Sequence, residues 1–411
     1  MIYDLIVIGG GPAGMMAAGV AAERGAKVLL LEKNNRLGIK LVITGKGRCN
    51  ITNNEFSTKN LVEKFGKPGR FLFSALGKFS NQDIIKFFNS RGLATKVERG
   101  NRVFPVTDSS LDVLAILKNY LAQAKVTIQT NTQIKSISLK DNNIDKIILA
   151  DQSKLQAKKY IIATGGKSYP MTGSSGDGYK WLKEMGHTIV TPRPSLTPIL
   201  VKEKNITKEL EGLSLKNVTI SVYQNNKKID SRFGEALFTG DGMSGPIILD
   251  MSQTIGRTLE TGEVKLVIDF KAGLDFKTLD QRLQYDFAQS NNKLFRNSLG
   301  ELLPKKIIPL MIELSEIDPN KKANAISKEE RKRLLHLLKD FILTVKSLYG
   351  FDKAIVTAGG VSLKEVDPRT MQSKIIKNLY LAGEILDLDG PTGGYNLQSC
   401  WSTGHLAGEN T

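Results

Sequence analysis

The opening residues constrain this 411-residue chain more tightly than any other segment. Tyr3-Asp4-Leu5-Ile6-Val7-Ile8 is a short, β-branched apolar run, the pattern of a strand buried in a parallel sheet. It passes into Gly9-Gly10-Gly11-Pro12-Ala13-Gly14, which holds G-x-G-x-x-G at positions 9, 11 and 14. Met15 to Arg24, rich in alanine, predicts a helix ending at Gly25; Lys27-Val28-Leu29-Leu30-Leu31 predicts a second strand ending on Glu32. Gly9 makes the tight turn, Gly11 lets backbone approach a pyrophosphate, and Gly14 allows close helix–strand packing. The pyrophosphate would rest on the helix N-terminus, where free N–H groups and the dipole favour negative charge. Glu32, 18 positions after Gly14, can accept hydrogen bonds from both ribose hydroxyls. Strand, motif, helix, strand and acid in register predict a dinucleotide-binding βαβ unit.

The chain is longer than one hydrophobic core usually organises, so two or three domains are expected. Cys49 and Cys400 give no disulfide framework and no metal-ligand spacing, which fits a reducing, cytoplasmic setting, and no metal site is expected. Leu5 to Ala22 carries no charge, but its glycines and Pro12 break it from strand to turn to helix, so no membrane span is expected. Met1 to Asp4 lacks the basic region of a signal peptide. Charge is the unusual quantity: 58 Lys+Arg against 41 Asp+Glu, a formal net of +17. Two readings stand side by side, a soluble lysine-rich surface or a polyanionic partner, with nucleic acid ahead of membrane.

Two later segments choose the dinucleotide. Lys159-Tyr160-Ile161-Ile162-Ala163-Thr164-Gly165-Gly166 is a strand entering a small-residue turn, similar to the "ATG" element of two-dinucleotide-fold flavoproteins. Leu379-Tyr380-Leu381-Ala382-Gly383-Glu384 resembles their C-terminal strand, which ends on the ribityl chain and phosphates. Gly393-Gly394-Tyr395-Asn396-Leu397-Gln398 then opens a final helix whose N-terminus can point at the flavin ring and stabilise its anionic reduced form. FAD is therefore the expected cofactor. No second G-x-G-x-x-G with strand and acid follows, so NAD(P)H is expected, if at all, as a transient reductant.

Over nearly its whole length the sequence resembles the YhiN/BaiN-like family of bacterial flavoproteins, NAD(P)/FAD-dependent oxidoreductases also described as aminoacetone oxidase-like. The resemblance rests on Thr44-Gly45-Lys46-Gly47-Arg48-Cys49-Asn50 with Thr52-Asn53, and on Gly165-Gly166-Lys167-Ser168-Tyr169-Pro170 with Gly173 to Tyr179. It continues through Gly234-Glu235-Ala236-Leu237-Phe238-Thr239, Gly242 to Pro246, Thr357 to Val361, and Gly383-Glu384 to Gln398. Gly240-Asp241 departs from it, where a histidine and an aromatic residue are expected. The resemblance implies an α/β protein with a Rossmann-like FAD-binding domain, an inserted β-rich domain and a small helical domain. The expected boundaries are residues 1–193 with 355–411 for the FAD domain, 194–273 with 346–354 for the β-rich substrate domain, and 274–345 for the helical domain. Val218 to Tyr223 and Val264 to Phe270 agree as strands, Lys328 to Leu348 as helical periodicity, and Pro192, Pro194 and Pro198 as an exit from the FAD domain.

The expected cofactor contacts, read from the motif and from the resemblance, are Gly9, Gly11, Pro12, Ala13, Gly14, Glu32, Lys33, Gly45, Arg48, Cys49, Asn50, Ile134, Thr164, Gly165, Gly166, Gly383, Glu384, Gly393, Gly394, Tyr395, Asn396 and Leu397. Arg48 and Asn50 offer fixed donors for a phosphate or the flavin edge. Cys49 is the candidate catalytic acid, against a bland reading as a small buried residue beneath the cofactor. Asp177 either caps the helix after it or touches cofactor or substrate. His187 and His405 are further acids by type, without visible partners.

Within the resembled family, activities include reduction of conjugated carbon–carbon double bonds, dihydrouridine formation in ribosomal RNA and oxidation of amino-ketones. The charge favours a polyanionic substrate through counterion release, which makes a uridine of 23S ribosomal RNA the best single expectation. Candidate RNA contacts are Lys321, Lys322, Lys328, Arg331, Lys332 and Arg333, together with Lys64, Lys67, Arg70 and Lys78. Rival expectations are a small-molecule reductase or oxidase acting on a steroid enone or amino-ketone, and a flavin-stabilised RNA-binding factor without catalysis.

Overall fold

A computed structural model describes residues 3–290 and 293–411. They form two compact units, one running up to Ser195 and resuming over Phe351–Thr411, the other Leu196–Gly350. Among the described residues, the first unit is built on a five-stranded parallel sheet. Its strands are β1 (Tyr3–Ile8), β2 (Val28–Leu31), β3 (Thr127–Gln129), β4 (Ala157–Ile162) and β5 (Leu379–Leu381), in the order β5-β4-β1-β2-β3. Leu5, Ile6 and Val7 of β1 are wholly buried, as a strand without a polar face must be when both sides of its sheet are covered.

The helices that place the site are α1 (Pro12–Glu23), α2 (Ile39–Ile43), α3 (Thr58–Glu63), α4 (Phe73–Lys78), α5 (Asp177–Glu184) and α6 (Tyr395–Glu409). Pro12 takes the first position of α1, where a missing N–H costs nothing. Ala13 to Ala21 are all buried, so α1 is a core helix apolar around its circumference. Its principal partner is α6. A Cβ built on Gly404 would stand 2.4 Å from the Ala13 carbonyl oxygen, and one on Gly408 2.5 Å from that of Ala17. Backbone therefore lies on backbone. Because 13 faces 404 and 17 faces 408, the two helices run parallel and their N-termini share one end.

An antiparallel ribbon of Ile189–Ser195 with Val356–Val361 carries the chain out of this unit and back. The second unit is a closed six-stranded barrel, among the described residues, in the order Ile199–Val201, Gly242–Ser244, Lys227–Thr239, Ser214–Gln224, Val264–Asp269, Phe341–Leu348. Val218, Ile220, Val222, Val264, Leu266 and Ile268 fill it at every second position. Helices Phe276–Gln289, Ile308–Ser315 and Lys328–Lys339 share that core through Leu283, Met311 and Leu338, so the 274–345 stretch and the barrel make one compact body. The helical reading of Lys328 to Leu348 needs correction. The helix stops at Lys339, and Phe341–Leu348 is a barrel strand. Beyond Asp340 the apolar residues change to period two, with Phe341, Leu343 and Val345 buried. No helix of the described residues is long and apolar enough to cross a membrane.

Substituting Gly404→Ala should force α1 and α6 apart and cost about 1–3 kcal/mol. Urea unfolding monitored by circular dichroism checks this; an unchanged midpoint would show that the backbone contact is dispensable.

Candidate functional site

The turn from β1 to α1 behaves as its glycines demand. Gly9 sits at φ +109°, and a side chain there would strike the Ala163 carbonyl oxygen at 2.4 Å. A Cβ on Gly14 would come within 1.9 Å of the Gly9 carbonyl oxygen. Gly11 differs: a Cβ there would meet nothing within 4 Å. Its own φ of −83° suits any residue. The chain thus leaves a bare, open position directly before an α1 N-terminus that no side chain caps.

A cleft beside this turn is lined by five of the sequence-expected residues, Gly9, Glu32, Lys33, Ile134 and Thr164. Glu32 is largely spoken for by the chain: one oxygen accepts from Gly10 N at 2.8 Å, the other from Asn34 N and Nδ2 at 2.9 and 2.8 Å. A carboxylate has about four acceptor positions, so roughly one is left for a ribose hydroxyl. The Thr164 hydroxyl, also on the cleft, is buried and has no partner. Such an orphan is rare without a ligand or water to satisfy it.

Sequence reading missed what closes this cleft. Lys33 Nζ reaches Ser175 Oγ at 2.5 Å and Asp177 Oδ2 at 2.7 Å, and Asn34 Nδ2 donates to the Thr172 carbonyl at 3.1 Å. The glycine-rich 173–178 segment therefore straps across the nucleotide-facing end of the sheet. Asp177 does not cap α5; it is the helix's first residue, after Gly176 at φ +86°. Burial would raise its carboxyl, but hydrogen bonds from Lys33 and Ser175 leave it below its ordinary value. The Lys33–Asp177 partnership spans 144 positions, and neither local pattern announces it.

At the same end, further along, the loop 44–53 meets the start of α6. Gly394 lies at φ +96°, where a side chain would strike the Thr52 carbonyl oxygen at 2.4 Å. With its amide oriented to satisfy all neighbours, Asn50 donates to Thr52 O and Val103 O and accepts from Gly394 N at 2.9 Å. Asn53 Nδ2 donates to Gly393 O at 3.0 Å, and Thr52 Oγ1 to Gln398 Oε1 at 2.6 Å. Asn396 closes the same turn, donating to Gly390 O and Pro391 O and accepting from Gly390 N. These amides hold Gly393, Gly394 and Tyr395 in place while α6 keeps an uncapped N-terminus. Leu397 packs against the core one turn in.

Two residues of that loop face elsewhere. The Arg48 guanidinium is held by Glu98 and Asp108 and stacks over Phe104 at 4.1 Å, so most of its N–H groups are taken by the chain. These hydrogen bonds push its pKa up and both carboxyls down. Cys49 is fully enclosed, and burial pushes its thiol up to about 12. Cys400 on α6 is likewise raised to about 12 by burial, with Glu384 adding to the effect. Gly45 at φ +57° lies against Asn50 and Phe104.

A polar cluster missed in the sequence joins the strand ends. Lys40 of α2 donates to Glu384 Oε2 and Ser168 Oγ, both at 2.8 Å. Glu384 Oε1 also accepts from Thr357 N at 2.9 Å and Ser168 Oγ at 3.0 Å. Gly166 presses on Thr357, and Gly165 takes φ +72° beside Ser174 and Glu384. Gly383, at φ +80°, lies against Ala13 and donates to Thr403 Oγ1 at 3.0 Å, tying β5 to α1 and α6. His187 bonds Ser373 at 2.9 Å and His405 stacks on Phe79 at 4.4 Å; burial lowers the pKa of both. Among the described residues no group of three or more His, Cys, Asp or Glu could hold a metal ion.

A βαβ turn with an open glycine, a parallel sheet and a second helix N-terminus at the same end define an FAD-dependent oxidoreductase of the Rossmann type. The chain belongs to the family described as HI0933-like protein Rossmann domain, which matches residues 3–410. It is 34% identical to a 3-dehydro-bile acid delta(4,6)-reductase of Clostridium scindens, over 98% of this chain and 97% of that protein. It is 30% identical to a ribosomal RNA dihydrouridine synthase of Haemophilus influenzae, over 97% and 96% of the two chains. The fold also resembles a flavocytochrome c3 fumarate reductase (TM-score 0.54, 16% identity, covering 100% of this chain and 78% of that one). A 3-ketosteroid delta1-dehydrogenase of Sterolibacterium denitrificans is equally similar in fold (TM-score 0.54, 13% identity, 99% of both chains).

Both thiols should be silent in the folded protein. At pH 8, below the value of about 12 for each, Ellman's reagent should give no fast release before denaturation and two equivalents after it. Fast release from the native chain would show an accessible thiolate at Cys49 or Cys400.

Proposed function

We propose that this chain reduces a carbon–carbon double bond conjugated with a carbonyl, using a tightly held FAD, and that its substrate is a uridine of 23S ribosomal RNA. The offset of the two helix N-termini carries the cofactor assignment. Ala13 is one residue into α1, whereas the Gly404 facing it is nine residues into α6. The α6 start thus projects about 12 Å past that of α1, at 1.5 Å per residue. One positive helix end suits a pyrophosphate, and the other a flavin ring further along the same molecule.

In this reading the N–H groups after Gly11 hold the pyrophosphate and Glu32 orients the ribose, with Lys33, Ile134 and Thr164 along the adenosine. Gly165, Gly166, Gly383 and Glu384 follow the ribityl chain, and Gly393 to Leu397 present the α6 N-terminus to the ring. When bound, FAD supplies hydride exchange at its N5 atom. The α6 N-terminus stabilises negative charge developing at that end, and the Asn50, Asn53 and Asn396 amides keep it from relaxing. Arg48 acts at one remove, fixing the loop. Cys49, enclosed and protonated, packs beneath the cofactor; its alternative role as proton donor is tested by Cys49→Ala. Electrons come from a transient NAD(P)H, since the chain has one dinucleotide motif. The setting is the cytoplasm, as two unpaired cysteines and an RNA substrate suggest.

Both relatives above are named for reduction of a ring double bond conjugated with a carbonyl, which supports the reaction class. The net charge of +17 supports RNA as substrate. A small-molecule substrate such as a steroid enone is the second reading, favoured by the 34% identity to the bile acid reductase.

Incubating the purified holoenzyme anaerobically with NADPH and unmodified 23S rRNA should give dihydrouridine at a defined position, missing from a deletion strain. An unchanged modification map, together with enone-dependent NADPH oxidation, would transfer the assignment to the second reading. Gly11→Val tests the cradle itself. Its Cβ meets nothing within 4 Å, so the apo chain should unfold near the same denaturant midpoint while bound flavin falls at least about tenfold. Retained yellow colour would remove the pyrophosphate from Gly11. Cys49→Ala should keep kcat within a few-fold; a loss above about 100-fold, within the range of general acid catalysis, would instead make the thiol the acid.

A further inference from the structure

The sequence offers two sets of cations for a nucleic acid, and the structure separates them. In the helical stretch of the second unit, Lys321 is paired with Glu330 at 2.8 Å and Arg331 with Asp280 at 2.7 Å. Arg333 Nε donates to the Ser315 carbonyl at 3.1 Å. These three are committed to the fold; Lys322, Lys328 and Lys332 are exposed, the last two beside Glu329, and no exposed large aromatic ring stands in the run Lys321–Arg333.

The segment 56–78 of the first unit is different. It folds as α3, a 3-10 turn over Lys67–Leu72, and α4. Its inner face, Leu61, Val62, Phe65, Leu72, Ala75 and Leu76, is buried. Phe79 just beyond accepts through its carbonyl from Ser402 of α6 at 2.6 Å. Phe65 contacts Gly390, four residues before the Gly394 that starts the flavin-facing helix. The outer face carries Lys59, Lys64, Lys67, Arg70 and Lys78 against Glu63 within the segment and Glu55 just before it, whose carboxylate feels the charge of Lys64. Among the described residues the one ion pair on this face is Lys59–Glu63, at the limit of contact, 4.0 Å. Two aromatic side chains stand out among these cations, Phe56 at 80% exposure and Phe73 at 46%. Exposed phenyl rings interleaved with unpaired cations suit a single strand, whose phosphates take the charges while its bases stack on the rings. A duplex keeps its bases stacked out of reach of the rings, whereas a lipid surface takes both rings and charges and is separated from RNA by the test below.

We propose that the outer face of residues 56–78 docks single-stranded RNA beside the entrance to the flavin site. This rests on the RNA reading above and names the surface that would deliver the strand. Lys64, Lys67 and Arg70 contact phosphates; Phe73 and Phe56 stack bases.

The experiment uses the FAD-loaded protein and a fluorescein-labelled 20-nucleotide polyuridine, with anisotropy followed across 50–300 mM salt. Changing Lys64, Lys67 and Arg70 together to Gln should flatten the log–log salt dependence by about 2, near 0.7 per phosphate contact on a single strand. Phe73→Ala should weaken binding about tenfold without altering that slope. Changing Lys135, Lys140 and Lys154, exposed on the three-stranded antiparallel sheet of Ile134–Lys140, Asn143–Leu149 and Lys154–Leu155, to Gln removes equal charge and should leave the slope unchanged. Flavin absorbance confirms that each variant is folded. If both triple variants lose the same slope, or if the 64/67/70 variant binds like wild type, this surface is wrong while the RNA substrate stands. Wild type that fails to bind polyuridine overturns both. Binding of the same face to phosphatidylserine vesicles in place of the RNA would also overturn it.

Discussion

The contact of α1 with α6 is what the rest of the nucleotide unit depends on. Gly404 and Gly408 bring one helix backbone onto the other at Ala13 and Ala17. That closeness fixes the helices as parallel neighbours and sets how far one N-terminus projects past the other. Gly383 is pulled into the same contact, pressing on Ala13 and bonding to Thr403, so β5 and the polar cluster around Glu384 are placed by it too. Any side chain at Gly404 would widen the gap and disturb the two helix N-termini together. Electrostatics at the two helix termini is only as useful as the packing that aligns them.

Around this frame the chain spends many polar groups on itself. Asn50, Asn53, Thr52, Asn396 and Gln398 bond to backbone or to each other, and their product is a rigid turn before α6. Residue types that suggest ligand contacts are thus bonded within the chain. Such support is what keeps helix-end N–H groups aimed where charge develops. Arg48 shows the same economy at greater distance, exchanging a phosphate for two carboxylates and a phenyl ring.

The parts legible in the sequence were those written in local backbone chemistry. The strand-turn-helix of residues 3–23, the strands ending at Ile162 and Leu381, and the α6 start at Gly394 follow from glycine placement and apolar runs, and the structure has them within a few residues. The family resemblance implied an inserted β-rich domain, to which the alternation at 218–222 and 264–268 also points; its closure into a barrel appears only in the structure. What stayed hidden depends on partners far along the chain. Lys40 meets Glu384 across 344 positions, and Lys33 meets Asp177 across 144; neither lysine differs from its neighbours in sequence. The strand Phe341–Leu348 was obscured because leucines continue past Lys339 while their period changes, and period is hard to read across a boundary.

The ribbon that takes the chain out at Ser195 and returns it at Val356 has a consequence for the order of folding. The barrel unit is one uninterrupted stretch, whereas the sheet it interrupts needs β5 and α6, which are synthesised after it. During synthesis the interrupting unit can reach its native state while its host still exposes the apolar sides of β1, β4 and α1. Long-range pairings of this kind close late, because loop entropy is spent before the contacts form. The turn at Gly11 is therefore synthesised before the barrel and completed after it, and a chain truncated within α6 would leave α1 without the helix it packs on.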